Sequence, residues 1–127
     1  DQAKFAFGMR QFEKAERLLT KVLKSQPDNV ETLLLMGYLH DTWCTNKPDE
    51  AVKYYRRLES LTGNPSAAMS GMWMRFHLHA RRKEYAEAYR LTKEIPKRFG
   101  WLEDHARREM TYWGSWLKKE LAKGTRK

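Results

Sequence analysis

A chain of 127 residues supplies one continuous core and is too short for most multi-domain enzymes. Charged residues make up 32%, but aromatics reach 13% with five Trp and six Tyr, which excludes a disordered tail. Lys and Arg number 25 against 16 acids, and residues 65–127 carry +8 of the excess while residues 1–64 carry +1. Such a field attracts acidic proteins, nucleic acid or anionic lipid without choosing among them.

Read from the N-terminus, the pattern predicts helices over 11–24, 30–44, 49–62, 66–82, 85–99 and 101–122, and no strand. Three segments align: Phe12-Glu13-Lys14-Ala15 with Leu19, Val22 and Pro27; Pro48-Asp49-Glu50-Ala51 with Tyr55, Leu58 and Gly63; Tyr85-Ala86-Glu87-Ala88 with Thr92, Ile95 and Gly100. Their alanines stand 36 and 37 residues apart, each 12 before its Pro or Gly. A small residue followed by large ones at four and then three is one face of a helix, and the alanine marks a close helix crossing. Asn64-Pro65 reads as an N-cap with proline in the first turn, and Gly63 as the stop of the helix before it. Pro96 lies inside the fifth helix, where a kink is expected. The last helix carries the apolar stripe Leu102, Ala106, Met110, Trp113, Leu117 and Leu121.

Leu33, Met36, Gly37 and His40 in one helix, then Ala51, Tyr55 and Leu58 in the next, resemble the tetratricopeptide repeat. Phe12, Ala15, Leu19, Val22 and Pro27-Asp28-Asn29 are similar to that repeat's second helix and closing turn. The resemblance implies an all-α, right-handed solenoid of about three helix pairs: a partial repeat over 1–28, repeats over 29–64 and 65–100, and a capping helix over 101–123. Arg75 departs from it, standing where the family buries an aliphatic residue, and leaves the register of that helix open. Leading helices of such arrays line a concave groove. Carried over by position, the groove residues are Lys4, Phe7, Glu31, Leu34, Tyr38, Asp41, Trp73, His77 and Arg81, and they imply an acidic or mixed acidic and apolar peptide partner. The family's clamp for acidic C-terminal tails needs Asn and Lys where Leu34, Leu35 and Tyr38 stand, so that partner class is not expected. On the cap, Trp101, Tyr112 and Trp116 form a second aromatic row, expected to be an interface for the same chain or another segment, or else to fold back into the core.

Chemistry is sparse. The glycines are scattered singly, without a phosphate-cradling run. His77 and His79 are two apart and diverge on a helix, so no metal site or other cofactor is expected. Cys44 with His40 four residues back lacks a group to orient the histidine, and Glu103-Asp104-His105 reads as a charged first turn. The reading is a binding protein, not an enzyme. Its second candidate is nucleic-acid binding through Arg81-Arg82-Lys83, Lys97-Arg98, Arg107-Arg108 and Lys118-Lys119, although acids are interspersed among them. One cysteine excludes an internal disulfide and fits a reducing, cytoplasmic setting. The uncharged run Leu33 to Leu39 is far below the roughly 20 residues of a membrane span. Asp1 opens the chain with no cleavable signal pattern, as expected of a piece of a longer protein or of a chain that has lost its leader.

Overall fold

A computed structural model of the chain describes residues 11–41 and 45–124. Among them are six α-helices and no strand: α1 (Phe12–Ser25), α2 (Val30–His40), α3 (Pro48–Glu59), α4 (Pro65–Arg81), α5 (Tyr85–Arg98) and α6 (Asp104–Gly124). The all-helical expectation is met. The chain divides into two compact units, Asp1–Gly71 and Met72–Lys127.

The helix starts follow local chemistry. Asn29 caps α2, its Oδ1 accepting from the Thr32 backbone N–H at 2.9 Å and the Thr32 hydroxyl at 2.8 Å. Asn64 caps α4 in the same way, accepting from the Ala67 N–H at 3.1 Å, with Pro65 in the first turn where no N–H is needed. Pro48 opens α3 for the same reason.

The helix ends diverge from the sequence pattern. α2 stops at His40 rather than at 44, because Asp41 turns extended (ψ 172°) and the loop takes the last carbonyls. Thr45 N–H donates to Leu39 O at 3.0 Å and Lys47 N–H to His40 O at 2.8 Å. α3 ends at Glu59, where the Ser60 hydroxyl donates to Arg57 O at 2.6 Å. Gly63 is therefore not the stop of that helix: it lies four residues beyond it, without the positive φ of a glycine cap. The left-handed cap belongs to Lys83 after α4, at φ 60°. There Lys83 N–H donates to Ala80 O and Glu84 N–H to His79 O, the paired bonds of a Schellman turn. Pro96 falls in the last turn of α5, which ends at Arg98. α6 starts at Asp104 rather than at 101, because Arg107 fastens the loop ahead of it. Its guanidinium donates to the carbonyls of Leu102 (3.0 Å), Phe99 (3.3 Å) and Gly100 (2.6 Å).

In the first unit α2 packs on both α1 and α3, and accordingly it is apolar over most of its circumference. Ala15 and Leu19 of α1 join Met36 and Leu39 of α2 in one cluster. Tyr55 of α3 is fully buried against α2: a Cβ on Gly37 would lie within 2.8 Å of its ring carbon Cδ1. Its hydroxyl donates to the Asp41 carboxylate at 3.1 Å. Gly71 of α4 approaches α3 as closely, since a Cβ there would stand 2.9 Å from Leu58 Cβ and collide with the Tyr55 carbonyl. In the second unit α5 packs on α6, where a Cβ on Gly114 would meet Thr92 Oγ1 at 3.1 Å. The repeat alanines Ala15, Ala51 and Ala88 are all fully buried.

Gly37→Ala forces the Tyr55 ring aside and should lower stability by about 1 to 3 kcal/mol in urea unfolding. Gly63→Ala meets nothing within 4 Å and should leave the midpoint unchanged or raise stability by up to about 1 kcal/mol. Equal effects at the two sites would refute the crossing. Lys83→Gly removes the left-handed strain and should stabilise by about 1 kcal/mol in the same assay; a loss would mean that the lysine holds a contact that outweighs it.

Candidate interaction surfaces

The groove expectation divides when placed on the structure. Lys4 and Phe7 lie outside the described residues, as do Trp43 and Cys44. In the first unit Leu34 is half-buried and Tyr38, one turn on, is 40% exposed, so α2 offers a short apolar and aromatic row. Asp41 does not extend it. Only 2% of Asp41 is exposed and its carboxylate accepts the Tyr55 hydroxyl, so the expected groove acid is a buried partner of the core. His40 is also internal, stacked on Tyr54 at 5.9 Å with Nδ1 2.9 Å from Thr45 Oγ1. Burial pushes its imidazole below the ordinary histidine value.

In the second unit Trp73, His77 and Arg81 fall four apart on α4 and share one face. Trp73 and His77 are half-buried with ring centroids 5.9 Å apart, and Arg81 is exposed. Burial pushes the His77 imidazole down, the Glu109 carboxylate of α6 opposing that shift and Arg81 reinforcing it. This row therefore carries an indole, an imidazole that burial biases toward its neutral form and a guanidinium, within the field of the Glu109 carboxylate. Glu109 was not legible as a neighbour, because nothing local ties residue 109 to residue 77.

The cap residues lie outward. Tyr112 is 63% exposed, Trp101 52% and Trp116 37%. Trp101 meets Phe99 at 5.8 Å, and Trp116 is held edge-to-face by Tyr85 at 5.4 Å and Trp113 at 5.9 Å. Their rings touch the second unit without being absorbed by it.

Two cations of the basic runs, and two arginines outside them, are committed to the fold. Arg107 holds the loop ahead of α6, and Arg82 lies 3.7 Å from Glu84. Arg75, 2% exposed, does occupy a buried place, and it does so as an ion pair: its guanidinium donates to Glu87 at 2.9 Å. Arg90 donates to the same carboxylate and, at 2.6 Å, to Glu94. Arg90 and Arg75 together hold the Glu87 carboxyl at about 2, far below the ordinary value. Among the described residues no group of three His, Cys, Asp or Glu is placed to hold a metal, and no helix is long and apolar enough to cross a membrane.

No protein-family model matches the chain, and no curated protein matches it.

The Glu87 pair gives stability a defined acid dependence. Its folded carboxyl titrates near 2 and its unfolded one near 4.5, so the contribution is complete above about pH 5 and disappears as pH falls toward 2. Glu87→Gln should lose about 1 to 3 kcal/mol at pH 7, because Arg75 is left buried without its carboxylate. The difference between parent and variant in urea should shrink through that window. A difference independent of pH would place the loss in packing instead of charge.

Proposed function

We propose that the chain is a tetratricopeptide-like helical-repeat scaffold that acts without catalysis and binds an acidic or mixed acidic and apolar segment of a partner protein. The repeat reading is supported by the three buried alanines and by Gly37, Gly71 and Gly114, where a Cβ would crowd the neighbouring helix. The observation that carries the binding reading is the α4 row. A half-buried Trp73 in contact with a half-buried His77, followed by exposed Arg81, is an aromatic anchor beside a cation, the combination that dominates binding energy at protein interfaces. The basic field of residues 65–127 would speed encounter with an acidic partner.

Engagement of Arg82 with Glu84 and of Arg107 with backbone carbonyls takes two guanidinium groups of the basic runs into the fold and favours this reading over nucleic acid. Affinity capture on the parent chain, beside Trp73→Ala and Tyr38→Ala, tests it. The partner should bind Trp73→Ala at least about tenfold more weakly, as loss of a buried aromatic anchor does. Partners held equally by the parent and both variants would remove these rows from the binding surface.

A further inference from the structure

His105, Arg108, Tyr112, Trp116, Lys119 and Lys123 follow one another along α6 at steps of three and four, and all six are exposed. They form one stripe about 27 Å long, turned away from the buried Ala106, Met110 and Leu117. Its middle is aromatic, with Arg108 on one side and Lys119 and Lys123 on the other, while His105 at its start lies 3.3 Å from the exposed Glu103 carboxylate. Trp116 is fixed there by its edge contacts with Tyr85 and Trp113, so the stripe presents a positioned ring. Glu109 and Glu120 border the stripe on the Trp113 side, and Glu120 is paired to Lys123 at 2.9 Å on the surface, where such a pair contributes little.

The chemistry of the stripe discriminates among occupants. A second copy would bring Arg108, Lys119 and Lys123 into a field of the same sign, and two exposed rings are a small area against the roughly 800 Å² per partner of a stable interface. The core of a protein interface excludes lysine, whose long chain loses much freedom when immobilised. Here two of the three permanent cations are lysines. A single-stranded nucleic acid asks for a succession of stacking faces along a basic track, and this stripe has two rings, one already engaged by two neighbours. An anionic bilayer surface has none of these conflicts. Tyr and Trp rings settle at the headgroup level, and lysines attract acidic headgroups while remaining hydrated and mobile.

We propose that the exposed stripe of α6 is a peripheral docking surface for an anionic lipid bilayer, with Tyr112 and Trp116 entering the headgroup layer and Arg108, Lys119 and Lys123 facing acidic headgroups. α6 lies along the surface and does not cross it, in keeping with its buried opposite face. This surface is distinct from the α4 row and stands whether or not a partner protein binds there.

The test uses the whole chain with sedimentable vesicles of phosphatidylcholine, with and without phosphatidylserine. The parent should co-sediment with the phosphatidylserine vesicles and lose that binding as salt is raised. Lys119→Ser with Lys123→Ser should lower the partition coefficient by about tenfold or more, and Tyr112→Ser should lower it at unchanged salt dependence. Lys21→Glu, on exposed α1, is the control for general basicity and should fall by much less than the α6 pair. Tyr112 and the lysines are exposed enough that helical circular dichroism should stay unchanged; Trp116→Ser adds to the result only if it folds. No co-sedimentation of the parent at low salt overturns the proposal, as does equal weakening by Lys21→Glu and by the α6 substitutions. Binding of the parent to oligouridylate without vesicles, stronger than its binding to phosphatidylserine vesicles and lost in the same variants, would overturn the proposal and reassign the stripe to nucleic acid.

Discussion

The first unit depends on a tyrosine placed where its neighbouring helix has no side chain. Tyr55 is fully buried because Gly37 lets α2 come down onto its ring, and any Cβ at residue 37 would occupy the same space. A buried phenol needs a partner, and Asp41 supplies it from just beyond the last turn of α2. That requirement fits the early end of α2: the chain leaves the helix at Asp41 in extended conformation, with the Asp41 carboxylate at the Tyr55 hydroxyl. One contact thus ties the α2–α3 crossing, the end of a helix and the fate of an acid that the repeat pattern assigns to a binding face.

The second unit solves the same packing problem with charge. Arg75 would be an expensive residue in a buried place, since a desolvated guanidinium has to recover its lost hydration. It does so through Glu87 on α5, and Arg90 holds that carboxylate from the other side. The arrangement links α4 to α5 by direction as well as by area, which an aliphatic residue at 75 would not do. Arg107 acts similarly on backbone carbonyls and spares the loop between α5 and α6 from unsatisfied acceptors. The strongly basic composition of this half is therefore partly structural, and the remainder is concentrated on surfaces.

Those surfaces differ in kind. The α4 row is half-buried and short, with an imidazole that burial biases toward its neutral form, which suits a partner that brings its own apolar group. The α6 stripe is open, long and edged by flexible lysines, which suits a broad charged plane more than a shaped ligand. A scaffold with one face for a protein segment and another for a membrane surface would hold its partner at that surface.

The sequence by itself determined the helices and their phase. Periods of three and four, the recurring alanines and the asparagines at 29 and 64 act within a few residues of themselves, so they are readable along one dimension. It also made the face of Trp73, His77 and Arg81 legible, since spacing on one helix is local. Tertiary structure alone decided which residues meet across helices: that Asp41 serves Tyr55, that Arg75 has Glu87 and that Trp116 rests on Tyr85. It also decided two details of backbone, the plain turn at Gly63 and the left-handed Lys83, against residue preference. The physical reason is that helix propensity and periodicity are sums over neighbours in the chain. The burial of a charge or a phenol, by contrast, is settled only when distant groups arrive to satisfy it.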